Sequence, residues 1–196
     1  MSSCKKAASS RHQCNSKPPS SGKKTLSELV GEYLQDWGDC YQNEAKWWGD
    51  KETLDWKSAQ KRVWESRWAD GKMHVHQRRV GSEKLKEGLR IALIDNIQSD
   101  RFETFEQLYG WVESVAHQVD GLGELVTYDV ALRLGMWLNL EPAVVYLHGG
   151  TREGAKKFNV DVKEKTATLS TFPPEIQNLG ATHAENFLCI YKEHLG

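Results

Sequence analysis

The chain of 196 residues contains no apolar run approaching the ~20 residues needed to span a bilayer. Its N-terminus lacks the apolar segment of a secretory signal. Cysteine is scarce: Cys4, Cys14, Cys40 and Cys189 include no CxxC pair. That excludes a zinc ribbon and a disulfide-dense small fold, and it fits a reducing compartment. Acidic residues are missing from residues 1–24, which hold Lys5, Lys6, Arg11, Lys17, Lys23 and Lys24. These absences predict an intracellular protein, cytoplasmic or nuclear, with no membrane partner. The serine-rich, acid-free start shares its composition with organelle transit peptides but has one arginine only.

The formal net charge is −1. Setting aside the six positive charges of residues 1–24 leaves −7 for the remainder. An acidic body argues against broad attraction to phosphates, so any nucleic-acid contact must come from local geometry or from the basic tail.

Residues 1–24 read as a disordered tail of Ser, Lys, Pro and Gly. Residues 25–196 read as one compact all-α domain. Thr25 is the expected N-cap of a first helix whose apolar face is Leu26, Leu29, Val30, Tyr33, Leu34 and Trp37, ending at Gly38-Asp39. A tryptophan-rich helix follows, capped by Asp50 or Thr53 and running to about Trp68. Trp47 and Trp48, adjacent on a helix, cannot both be fully buried. Lys72 to Val80 has no helical face and reads as an extended basic loop or short strand. Lys72, His74, His76, Arg78 and Arg79 cluster there, with His74, His76 and Arg78 on one side of an extended chain. Such a loop could contact phosphates.

Ser82 is the expected cap of a third helix, and Thr104 with Gln107 a capping box for a fourth. Thr151 and Thr182 are expected to cap two later helices, and residues 159–171 read as loop or a small hairpin. The total is six to eight helices.

The most informative segment is Val115 to Gly135, where one amphipathic helix meets Asp120-Gly121-Leu122-Gly123 and a second helix follows at once. Gly121 and Gly123 permit a tight turn and leave the next helix's amides uncovered, a natural anion site. Leu122 between them is expected to plug the space between the two helices. Gly149 and Gly150, ahead of Thr151 and Arg152, form a second turn of this kind, and His148 beside it could move a proton.

Tyr146 and Asp129 complete a set of candidate catalytic residues with His148, should the chain be an enzyme. Asp129 and Arg133, four apart, are expected to pair on a helix surface. His74-x-His76 with His148 or His117 has no cysteine or carboxylate at a familiar ligand spacing, so no metal and no cofactor is expected.

Val119-Asp120-Gly121-Leu122-Gly123 with its flanking helices resembles the helix-hairpin-helix motif, and more loosely the helix-hairpin-helix superfamily of DNA glycosylases. The resemblance spans residues 102–158. It implies DNA binding through a hairpin phosphate clamp at Gly121, Leu122 and Gly123. The family's hairpin proline is Asp120 here. The lysine that lyase members carry two residues after the second glycine is Leu125. The family's catalytic aspartate should fall after Pro142, where the chain reads Ala143-Val144-Val145-Tyr146-Leu147-His148 with no carboxylate. The run from Gly121 to Phe158 is similar, and more closely so, to a group of bacterial proteins with no assigned activity.

Three readings follow. The first is a DNA-binding module, with the hairpin glycines exposed beside residues 74–79. The second is a divergent base-excision glycosylase, with a cleft that holds Asp129, Tyr146, His148 or Glu124. The third is a structural or partner-binding helical protein.

Overall fold

The computed structural model describes residues 22–196, so the expectation for the basic tail lies largely outside the described residues. Helix α1 spans Leu26–Trp48. Thr25 caps it as expected: its hydroxyl accepts from Glu28 N at 3.3 Å, and Glu28 Oε2 accepts from Thr25 N at 2.7 Å. The helix does not stop at Gly38-Asp39. A helical glycine costs about 1 kcal/mol, and the buried Trp48 beyond it offsets that. Trp47 stays half-buried, with the Arg62 guanidinium 4.0 Å from its ring centroid.

Helix α2 spans Trp56–Glu65, and its cap is Asp55, which accepts from Ser58 N at 2.7 Å. Asp50 instead accepts from Thr53 N within the preceding turn, at 3.1 Å. The helix stops at Ser66, in the left-handed region at φ 51°, short of Trp68. The basic segment is not an extended strand. Arg67 bridges to Met73, His74 N donates to Ser66 O at 2.8 Å, and Val75–Arg79 coil into a 3-10 helix.

Helix α3 spans Ser82–Asp95, with Gly81 rather than Ser82 as its cap. Helix α4 spans Phe105–Ala116 and is capped by Thr104, while Gln107 Oε1 reaches back to Glu103 N at 2.8 Å. Helix α5 spans Glu124–Leu138. Strand β1, Val145–Tyr146, pairs antiparallel with β2, Thr166–Ala167. Residues 159–171 therefore form no local hairpin, since their strand pairs with an element on the far side of α6.

Helix α6 spans Gly149–Lys156, α7 Pro174–Gln177 and α8 Ala181–Tyr191. Their N-caps are His148, Pro173 and Gly180, so Thr151 and Thr182 lie inside helices rather than capping them. The architecture is mostly helical, as expected. No helix of the described residues is long and apolar enough to cross a membrane. Cys189 is a free thiol.

Two apolar clusters fill the interior. One gathers Trp48, Trp64, Leu85, Phe105, Leu108 and Leu134. The other gathers Leu29, Tyr33, Ile176, Phe187, Leu188 and Tyr191. β1 and the residue after it join them by strand alternation: Val145 and Leu147 enter the second cluster, Tyr146 the first. The polar side chains described next are carried by helices that line this seam.

Candidate functional site

The turn between α4 and α5 is built as the two glycines suggest. Gly121 adopts φ +87°, a left-handed conformation that suits glycine. Gly123 is extended and caps α5 with no side chain to close it. Both glycines are exposed, and Leu122 is buried between the helices, as expected. Lys84 of α3 lies over the turn, its Nζ close to where a Cβ on Gly121 would stand. Glu124, in the first turn of α5, pairs with Arg152 of α6 at 3.2 Å. The two glycine turns are thereby tied together. Gly149 is exposed, but Gly150 is not an open anion cradle: a Cβ there would meet Cys189 Sγ at 2.7 Å.

Deeper along α5 lies a buried polar stripe. Asp129 and Arg133 are both buried, which corrects the expected surface pair. Their ion-pair separation is 3.8 Å. Asp129 Oδ2 also accepts from Gln77 Nε2 at 2.5 Å, and His76 Nδ1 lies 3.2 Å away. Arg133 donates to Ser66 Oγ at 3.0 Å and to Gln77 Oε1 at 3.3 Å, with Trp48's ring 4.8 Å off. The tight coil at residues 75–79 is what turns His76 and Gln77 onto α5. Burial by itself would raise the Asp129 carboxyl, but the His76 hydrogen bond and the Arg133 charge outweigh it and hold it well below the usual range. The hydrogen bond to Asp129 raises His76 against the effect of burial, whereas burial and then Arg133 depress His74.

A second polar group adjoins the first. His148 Nε2 lies 3.2 Å from Oε1 of Glu185, which α8 supplies. The distance alone suggests an ion pair, but the surroundings argue otherwise. Burial raises Glu185 to about 8, only partly offset by the hydrogen bond from Thr151. Burial likewise lowers His148. At neutral pH the two therefore stand as a protonated carboxyl against a neutral imidazole, and neither ring nitrogen of His148 makes a hydrogen bond. Tyr128 packs on His148 with ring centroids 4.9 Å apart, and its buried hydroxyl also lacks a partner. Buried polar atoms without partners are uncommon and call for an explanation. Here three such atoms adjoin, the Tyr128 hydroxyl and the two ring nitrogens of His148.

The fold thus brings Asp129 together with His76, and His148 together with Glu185, in one neighbourhood that is buried except at the half-exposed His76. Tyr146 does not join them. It packs in the aromatic core against Tyr109, at 4.4 Å between centroids, and Phe105. The basic cluster disperses: Lys72 pairs with Asp70 at 3.2 Å, Arg78 donates to Met73 O at 3.2 Å, and Arg79 is exposed. His74 is half-buried, 3.5 Å from Glu44. Thr151 is buried against Glu185.

Sequence reasoning passed over Glu185, Gln77, Tyr128 and Glu44. Glu185 did carry a signal, since it falls on the same helical face as Ala181 and Leu188, a carboxyl on an apolar stripe. Nothing local marked Gln77. No protein-family model, no curated protein and no solved structure matches this chain.

Proposed function

We propose that the protein binds nucleic acid, DNA foremost, by seating a backbone phosphate at the turn between α4 and α5. One observation carries this reading: α5 begins without a side-chain cap, directly after the exposed Gly121 and Gly123. Uncovered N–H groups and the positive end of the helix dipole favour an anion there. Lys84 adds a full charge above Gly121, and Arg152 takes up the opposing charge of Glu124. The helix-hairpin-helix resemblance supplies the ligand class.

The test compares the full chain with the double variant Gly123→Val and Lys84→Glu. Gly123 has φ −94° and open space where a Cβ would stand, so valine fits there and covers the amides without strain. Both proteins carry the basic tail, so the difference isolates the turn. The expected result is duplex binding weakened about tenfold or more, with a salt slope shallower by about 1. Equal affinities and slopes would sink the reading.

A divergent base-excision enzyme is a second reading, favoured by Glu185. A buried carboxyl that stays protonated at neutral pH, beside His148 and Tyr128, is suited to protonate a departing base. Base release from lesion-bearing duplexes, abolished in Glu185→Gln, would support it. A wild-type chain that releases none would remove it.

A further inference from the structure

We propose that His74, His76 and Asp129 form a binding site for a divalent transition metal of the zinc class. One potential ligand atom from each of the three lies within 4.8 Å of the others. His76 Nδ1 and Asp129 Oδ2 are 3.2 Å apart. Zinc bonds of 2.0–2.1 Å in tetrahedral geometry place neighbouring ligands about 3.3 Å apart. These two atoms therefore already stand at a ligand–ligand spacing, where a metal ion replaces the proton they share.

The third ligand is prepared by its own surroundings. Glu44 Oε1 lies 3.5 Å from Nε2 of His74, while Nδ1 of the same ring is buried and has no hydrogen-bond partner. A carboxylate on one imidazole nitrogen with the other nitrogen turned to the metal is the usual outer-shell arrangement at zinc sites. The two histidine rings stand edge to face, 5.1 Å apart. Gln77 fixes Asp129, and Arg133 in turn fixes Gln77. Two imidazoles and one carboxylate suit zinc or another late divalent metal, whereas calcium and magnesium require a largely oxygen set. Three protein ligands leave a fourth position for water, on the side where His76 is half-exposed.

This site does not rest on nucleic-acid binding. The test uses the untagged full chain, stripped with chelator, then titrated with zinc chloride and separately with cobalt(II) chloride. The expected result is one equivalent bound, with cobalt absorption bands of a four- or five-coordinate site. His76→Gln should weaken zinc about a hundredfold, and Glu44→Gln, acting through His74, about tenfold. His76 is half-exposed, so its variant keeps the fold and decides the question even where His74→Gln does not fold. Absence of stoichiometric uptake would overturn the proposal. So would uptake unchanged in His76→Gln, which would place the ion elsewhere.

Discussion

Wild-type stability should fall relative to that of Glu185→Gln as pH rises from about 4.5 to about 8, the two limits of Glu185 ionisation. In the unfolded chain the carboxyl ionises near its ordinary 4.5, while in the folded protein burial holds it neutral up to about 8. Below 4.5 both states keep the proton and the group adds no pH dependence. Between the two values only the unfolded chain releases it, which favours unfolding; above 8 the effect levels off. Full realisation of the shift makes the loss on the order of 5 kcal/mol.

The glutamine amide oxygen can still accept from Thr151, and glutamine has no charge to bury. His148, Tyr33, Tyr128, Asp129, His76 and Cys189 share electrostatic contact with Glu185 or its immediate surroundings. Depressed His148 and His74 act in the opposite sense, since they gain stability as pH rises toward 6.5. Urea unfolding of both proteins from pH 4 to 9 separates these contributions, because only Glu185 differs. Parallel curves would show that Glu185 ionises normally.

Gly154→Val should cost about 3 kcal/mol, the upper end of overpacking effects. A Cβ at Gly154 would stand 2.8 Å from the carbonyl carbon of Leu188 and 3.0 Å from its Cα. These are backbone atoms of α8 and cannot rotate aside. Gly150, four residues earlier, faces α8 as well, where a Cβ would meet the Cys189 side-chain sulfur at 2.7 Å, so α6 turns a glycine face to α8. The second polar group depends on that approach, because His148 and Thr151 ride on the start of α6 while Glu185 rides on α8. A shifted α6 therefore loosens the surroundings that keep Glu185 neutral. The measurement is the urea midpoint of Gly154→Val beside Gly154→Ala, with valine expected to lose more. An unchanged midpoint in the valine variant would mean that the helices part without cost.

The glycine turn shows how far sequence reading reaches. Gly121, Leu122 and Gly123 lie three residues or fewer from the start of α5 and seven or fewer from the end of α4, so spacing alone placed the turn and buried its leucine. The same logic went astray at residues 72–80, where alternation suggested an extended chain. The bridge from Arg67 to Met73 and the coil at Val75–Arg79 depend on packing against α5, which no local pattern encodes. It failed again at Gly149-Gly150. Glycine that exposes amides and glycine that admits a neighbouring helix look identical in one dimension.

The sequence by itself determined the mostly helical class, the caps at Thr25 and Thr104, and the α4–α5 turn. Each of these is governed by residues within one or two turns of helix, where periodicity and hydrogen-bonding side chains act directly. Tertiary structure alone decided that Asp129 meets His76, that Glu185 meets His148, and that Asp129 and Arg133 are buried rather than solvated. The partners in the first two contacts lie on elements remote in the chain. Their ionisation follows from burial and neighbouring charge, quantities that exist only once the helices have packed.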